Sequence, residues 1–219
     1  MKVLSCAQGS AEWHRARLGR PTASHFHEII TPKTRKPSTS ANAYMMRLLA
    51  EWIIGVPSDA ASSGFMERGI HLEEPAARQY AYMRDVDPVK IGLVLRDDEM
   101  VAGSPDRLIG DDGLLEVKTP SATIHVQHLL EGFDGHFCQV QGCLWLTGRR
   151  WADLMSYSPE MPPVIVRMER DNGFIEALVA EVDSFVHRLL EARARLLDLG
   201  CKPAERLMLP ASMVVEDAF

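Results

Sequence analysis

The apolar residues change period at Pro88, and that change confines the chain to a mixed α/β fold. Before it, Tyr44, Leu48, Leu49, Trp52 and Ile53 follow Ser40 at helical spacing, and Ser63 to about Arg84 fits a further helix. After it come short apolar stretches at Val89 to Leu95, Met100 to Gly103, Arg107 to Ile109 and Leu114 to Val117. Turn formers separate them, Gly110-Asp-Asp-Gly113 being the strongest signal. Helices are then expected at Ala122 to Glu131 and Gly135 to Leu146, with strands at Ala152 to Tyr157 and Pro163 to Met168. Phe174, Leu178, Val182, Phe185 and Leu189 mark a closing amphipathic helix. Helices, a small sheet, then more helices give an α/β domain with the sheet covered.

In the first forty residues Ser10 is expected to cap a helix through Leu18. Thr22 or Ser24 would cap a second helix through Ile30, and Ser40 the apolar helix that follows. The basic, turn-rich stretch Thr31 to Ser40 reads as a mobile surface loop. A length of 219 residues supplies one sizeable core, so residues 1–219 are taken as a single domain. Its tail, about 202–219, has no clear period and is expected to be mobile or to dock on a neighbour.

Composition excludes little. A hydrophobic content of 46% with 25% charged residues describes a globular protein, and no apolar run approaches the ~18 residues of a membrane span. The N-terminus meets charge at once, so a cytoplasmic location is expected. Cys6, Cys138, Cys143 and Cys201 lack the paired spacing of a zinc site and read as reduced thiols. The net charge of −6 weighs mildly against a nucleic-acid partner. Attraction to phosphate is local, however, and carboxylates that hold a cation lower the formal charge while leaving the occupied site positive.

The chemistry concentrates between Gly103 and Thr119. On a strand, Glu116 and Lys118 share one face while Leu115 and Val117 take the other. Carboxylates held close repel one another until a divalent cation joins them, and oxygen donors suit Mg²⁺ or Mn²⁺. The adjacent lysine could orient a water and stabilise charge developing on a phosphoryl group. Parity raises one difficulty. A hairpin symmetric about Asp111 and Asp112 sets Asp106 opposite Val117, on the wrong face, and only an odd-length loop or a bulge restores it. By chance alone, the same letters would describe a strand end and a solvated ion pair.

With these residues in view, the sequence resembles the PD-(D/E)xK nuclease superfamily, and within it the lambda-exonuclease-like viral alkaline exonucleases. Four blocks carry the resemblance in family order. They are Glu12-Trp-His-Arg-Ala-Arg-Leu-Gly19 with Thr22-Ala-Ser24, Arg68-Gly-Ile-His-Leu-Glu73, Ser104-Pro-Asp106 with Leu115-Glu-Val-Lys118, and Cys138-Gln-Val-Gln141. The resemblance implies a restriction-endonuclease-like core, a small central mixed sheet flanked by helices. It implies that Asp106, Glu116, Glu73 and the Val117 carbonyl hold metal, that Lys118 positions the water, and that Gln141 contacts DNA or that water. Arg17 would grip a terminal 5′-phosphate, assisted by Ser24, Ser104 and Trp13.

The same resemblance implies Mg²⁺ as cofactor, with Mn²⁺ as a substitute, and 5′→3′ digestion of one strand of linear double-stranded DNA to leave a 3′ single strand. It further implies a homotrimer ring around DNA and a single-strand annealing protein as partner in recombination. The residues themselves support only metal-assisted phosphodiester hydrolysis. Two alternatives therefore stay open: an endonuclease or RecB-like nuclease on the same core, and a non-catalytic DNA-binding protein.

Overall fold

The computed structural model describes residues 1–58, 63–205 and 214–215. The chain opens with strand β1 (Lys2–Leu4) and helix α1 (Ala11–Arg17), where the Ser10 hydroxyl caps by accepting the Trp13 N–H at 3.2 Å. The helix expected from Thr22 is a short 3-10 run, Ala23–Glu28, and Thr22 makes no capping bond there. The expected mobile loop is a hairpin of β2 (Ile30–Thr31) and β3 (Lys36–Pro37). Buried Ile30 anchors it, and Arg35, at a left-handed φ of 55°, closes the turn by donating its N–H to the Thr31 carbonyl.

Two helices follow, α2 (Ala41–Ile54) and α3 (Ser63–Arg84). Ser40 stands at the start of α2 without a side-chain capping bond. The single strand expected over Val89 to Leu95 is two strands, β4 (Pro88–Lys90) and β5 (Leu93–Leu95), in different sheets. Gly92 lies between them, and a Cβ there would stand 2.0 Å from the Leu4 carbonyl oxygen. Only glycine lets the chain pass so close to β1.

The remaining elements are β6 (Ala102–Gly103), β7 (Arg107–Ile109), β8 (Gly113–Lys118), α4 (Ala122–Glu131) and α5 (Phe137–Thr147). Then come β9 (Trp151–Ser156), β10 (Val164–Glu169), α6 (Asn172–Asp198) and β11 (Val214–Val215). The central sheet has the order β10-β9-β8-β7-β4 and is mixed, because β8 and β9 run parallel while its other pairs are antiparallel. A parallel pair needs a long crossover, which α4 and α5 supply. A second sheet has the order β11-β1-β5-β6. Of the expected tail, Val214–Val215 pair with β1 of the same chain and Ala204 donates its N–H to the Trp52 carbonyl, while residues 206–213 and 216–219 lie outside the described residues.

The core forms where α5 and α6 meet these strands. Phe174, Leu178, Val182, Phe185 and Leu189 on α6 are all fully buried, and truncating one to alanine should cost about 2–5 kcal/mol. Asp171 caps α6 through the Phe174 N–H at 2.9 Å. At Gly142, α5 packs so tightly on the 3-10 run that a Cβ would stand 2.5 Å from the Phe26 ring.

A polar buttress fixes α3 against the sheet. Fully buried Asp153 on β9 accepts from Tyr80 at 2.7 Å and from Arg167 at 2.8 and 3.0 Å. No helix among the described residues is long and apolar enough to cross a membrane.

Candidate active site

The β7–β8 register pairs Arg107 with Leu115, Leu108 with Leu114 and Ile109 with Gly113. The loop is therefore Gly110, Asp111 and Asp112, an odd number, and the parity difficulty disappears. One step beyond the last pair, Asp106 falls opposite Glu116, so both carboxylates come to the same face as Lys118.

Hydrogen bonds fix these side chains. Asp106 Oδ2 accepts the Val117 N–H at 2.6 Å. A strand residue projects its N–H and C=O to one edge, so the Val117 carbonyl also faces Asp106. The next carbonyl, that of Lys118, turns the other way and accepts the Tyr157 N–H at 2.8 Å. Glu116, only 4% exposed, accepts from Lys118 Nζ at 2.7 Å and from the Gln139 amide. Lys118 also donates to Gln139 Oε1 at 3.1 Å.

The electrostatics follow from this crowding. Burial, then Glu116 and Glu73, push the Asp106 carboxyl well above the ordinary aspartate value. Burial opposes the charge on Lys118, but Glu116 and Asp106 together outweigh it and its pKa is raised. Cys143 lies against the same charges, and burial with Glu116 and Asp106 pushes its thiol up.

Glu73, on α3, is held by Arg107, whose Nη1 also donates to the Asp106 carbonyl at 2.7 Å while Nη2 reaches Glu74 at 3.1 Å. Among the described residues no three His, Cys, Asp or Glu side chains converge as ligands. The donors that do meet are the Asp106 and Glu116 carboxylates and the Val117 carbonyl. An all-oxygen set with one or two carboxylates, completed by water, is how Mg²⁺ is held. The raised carboxyl at Asp106 is the like-charge penalty that such a cation would remove.

Beside this centre the structure gathers Trp13, Arg17, Ser24 and Ser104 into one cluster. The Arg17 guanidinium lies 4.2 Å from the Trp13 ring centroid, and Nη2 donates to Ser24 Oγ at 3.1 Å and to Thr22 Oγ1 at 3.4 Å. Trp13 Nε1 donates to Ser104 Oγ at 3.0 Å, two residues before Asp106. His25 Nδ1 lies 3.2 Å from Thr22 Oγ1 and 3.1 Å from Ser24 Oγ. Burial lowers the Arg17 pKa, opposed by surrounding groups that include Glu116. No carboxylate forms an ion pair with Arg17 among the described residues; its partners are hydroxyls, which leaves the cation able to take an anion.

Gln141 is a correction. Its fully buried amide donates to the Glu169 carbonyl at 2.8 Å and accepts the Asp171 N–H at 2.9 Å, joining α5 to the β10–α6 corner. Residues two apart on a helix point about 200° apart, so only one glutamine of the pair can face the site, and it is Gln139. Helical spacing reveals the opposition but not which residue faces inward. Arg107 was also missed; its signal is an arginine in an apolar strand, where buried charge needs partners such as adjacent Glu73 and Glu74. Thr22 and His25 carry no sequence signal beyond their place in the Thr-Ala-Ser-His stretch.

The family described as YqaJ-like viral recombinase domain matches residues 12–150, which include every residue of the site above. An alkaline exonuclease, LHK-Exo, from Laribacter hongkongensis has a similar crystal structure at 30% identity and TM-score 0.76, covering 87% of this chain and 97% of that one. A structure of LHK-Exo in complex with dAMP is similar to the same extent. A phage related exonuclease from Haemophilus somnus 129PT, 16% identical with TM-score 0.67 over 81% of this chain and 96% of its own, shares the fold. Comparison with curated proteins gives no match.

Proposed function

The chain belongs to the YqaJ-like viral recombinase domain family, and from that premise we propose that it is a Mg²⁺-dependent 5′→3′ exodeoxyribonuclease acting on linear double-stranded DNA. The observation that carries this reading is the adjacency of two unlike sites. Asp106, Glu116 and Lys118 form a carboxylate–lysine centre, and Arg17, free of any carboxylate partner among the described residues, stands beside it. The similarity to an alkaline exonuclease supports the same reading.

Asp106, Glu116 and the Val117 carbonyl would hold the cation, with Glu73 near enough to act once Arg107 releases it. When bound, Mg²⁺ (or Mn²⁺ in its place) supplies charge neutralisation and a more acidic water. Lys118 holds the attacking water in line with the scissile phosphorus, and Gln139 keeps Lys118 and Glu116 in register. Arg17 takes the terminal 5′-phosphate as a bidentate partner, with Ser24 and Ser104 completing the cradle. Water adds to phosphorus, the P–O3′ bond breaks, and O3′ leaves with a proton. The released nucleotide keeps its 5′-phosphate, and the shortened strand carries a new one for Arg17.

This regeneration of the bound end suits repeated rounds on one strand, and the 3′ single strand left behind is the substrate of an annealing protein. A homotrimer ring would hold the duplex between rounds, and light scattering tests it directly. The decisive test digests linear duplex DNA, 5′-phosphorylated and labelled separately on each strand end, in Mg²⁺ or EDTA. Closed circular DNA and Lys118→Ala are run beside it. Metal-dependent loss of 5′ label from linear DNA alone, abolished by the substitution, is expected. Cutting of the circle would replace the exonuclease by an endonuclease.

A further inference from the structure

Between α4 and the loop that leads to α5 lies a cavity of about 610 Å³, large enough for a nucleotide. Lys118 stands in its lining, together with Gln127, His128, Glu131, Phe133 and Asp134. One lining residue, His128, is the outer member of a chain of three side chains that continues behind the cavity. His125, fully buried, has Nε2 3.0 Å from the Pro162 carbonyl oxygen and Nδ1 2.8 Å from Ser156 Oγ. His128 Nδ1 lies 2.8 Å from that same Ser156 Oγ.

The proton positions follow from what each atom can do. A carbonyl only accepts, so an uncharged His125 carries its proton on Nε2 and offers Nδ1 as a lone pair. The single proton of the Ser156 hydroxyl then goes to His125, and the hydroxyl oxygen accepts from His128. His128 must therefore carry its proton on Nδ1, which leaves Nε2 bare at the opposite end of the ring, away from the sheet. Phe133 fixes the plane of that ring by stacking on it at 4.3 Å between centroids and 16° between planes. Burial and the neighbouring His125 lower the His128 pKa against the pull of Asp134, so the ring is uncharged near neutrality.

Ser156 pairs with Lys118 across the parallel β8–β9 ladder, so this chain of side chains ends one strand away from the catalytic lysine. The charges in the lining are unequal: Glu131 and Asp134 oppose the one cation, Lys118, at the active-site end. A phosphate inside the cavity would meet net repulsion, whereas a neutral ring with N–H donors would meet acceptors and an aromatic wall.

We propose that this cavity is a subsite for an unpaired nucleobase of the strand whose phosphate lies at Lys118, with His128 Nε2 accepting a hydrogen bond from a base N–H. The assignment rests on the DNA-cleaving reading of the same site. It gives the strand a second anchor, through a base, beside the phosphate anchor at Arg17.

Deoxycytidine and deoxyadenosine, which lack phosphate, and 1,2-dideoxyribose 5-phosphate, which lacks a base, test this in the full chain without metal. Long-range ¹H–¹⁵N correlation of the imidazoles should show His128 as the Nδ1–H tautomer. Its Nε2 resonance should move upfield with saturating deoxycytidine and stay in place with the abasic sugar phosphate. His128→Phe keeps a ring on Phe133 and should weaken nucleoside binding about tenfold, the size of one lost hydrogen bond, without altering binding of the abasic compound. An Nε2–H tautomer at His128, an absent nucleoside shift in the unmodified chain, or equal nucleoside affinity in a folded His128→Phe protein would overturn the proposal. If that variant does not fold, the tautomer and the nucleoside shift decide. No cleavage is measured, so failure to digest DNA and failure to bind a base are read separately.

Discussion

Arg107 Nη1 donates at once to the Glu73 carboxylate on α3 and to the main-chain carbonyl of Asp106, so one buried guanidinium joins the helix to the strand end that carries the acid. Its side chain is 3% exposed. Removing one partner of a buried ion pair costs about 3–5 kcal/mol, because the charges left behind are unpaired. Glu73 and Glu74 are partly exposed and Glu74 keeps Lys90, so Arg107→Ala is expected to lower stability by less than that, about 2–3 kcal/mol in urea denaturation. An effect under about 1 kcal/mol would assign the pair to the surface class instead.

Gln139 and Gln141 should fail in different ways. Gln139→Ala removes a partner of both Glu116 and Lys118 and should lower kcat about 10- to 100-fold with little change in unfolding midpoint. Gln141→Ala leaves the buried Asp171 N–H and Glu169 carbonyl without their partner and should cost about 1–3 kcal/mol. Activity per folded molecule should be nearly unchanged in that variant. Turnover and denaturation measured on both proteins check the assignment, and the opposite pattern would reverse it.

Both outcomes bear on how far the sequence alone could reach. Alternation along β8 makes Glu116 and Lys118 legible, because burial of Leu115 and Val117 dictates the face. Asp106 is not legible to the same degree: its face turns on whether the loop holds two residues or three, a choice that Gly110-Asp-Asp-Gly113 permits either way. The break between β4 and β5 escapes for another reason, since it depends on Gly92 meeting the distant Leu4 carbonyl. Trp13, Arg17 and Ser24 were legible only through resemblance, because their meeting with Ser104 is tertiary.

Metal and pH should act together on stability. Asp106 is raised in the folded state by burial, Glu116 and Glu73, so the folded chain keeps this proton to higher pH than the unfolded chain does. The associated stability is greatest below the unfolded value of about 3.9, falls as pH rises toward the folded value, and is level above it. Metal-free protein should lose stability across that window, and Asp106→Asn should remove the slope and raise Tm at pH 8 by about 2–4 °C for each kcal/mol of relief. Mg²⁺ at a hundred times its Kd should add about 2.7 kcal/mol to the unmodified protein and much less to the variant. Thermal melts from pH 5 to 9, with Mg²⁺ or EDTA, measure both effects.

Arg17→Ala should act on end recognition. The guanidinium makes no ion pair among the described residues, so its loss is expected to remove the preference for 5′-phosphorylated over 5′-hydroxyl ends. Lys118→Ala should instead lower kcat about 10²–10³-fold on both ends alike. Rates on the two kinds of end, taken for each variant, separate the roles. An equal loss on both ends for Arg17→Ala would remove it from phosphate binding.

Cys143 lies against the charges of the site yet is 2% exposed, and burial holds its sulfur protonated. Cys6 and Cys138 are buried too, while Cys201, just past the end of α6, is partly open. A maleimide dye should therefore attach at Cys201 first and spare the face that carries Asp106, Glu116 and Lys118. The chain thus offers its own attachment point for a fluorophore, so binding to an immobilised DNA end could be followed without engineering a new cysteine.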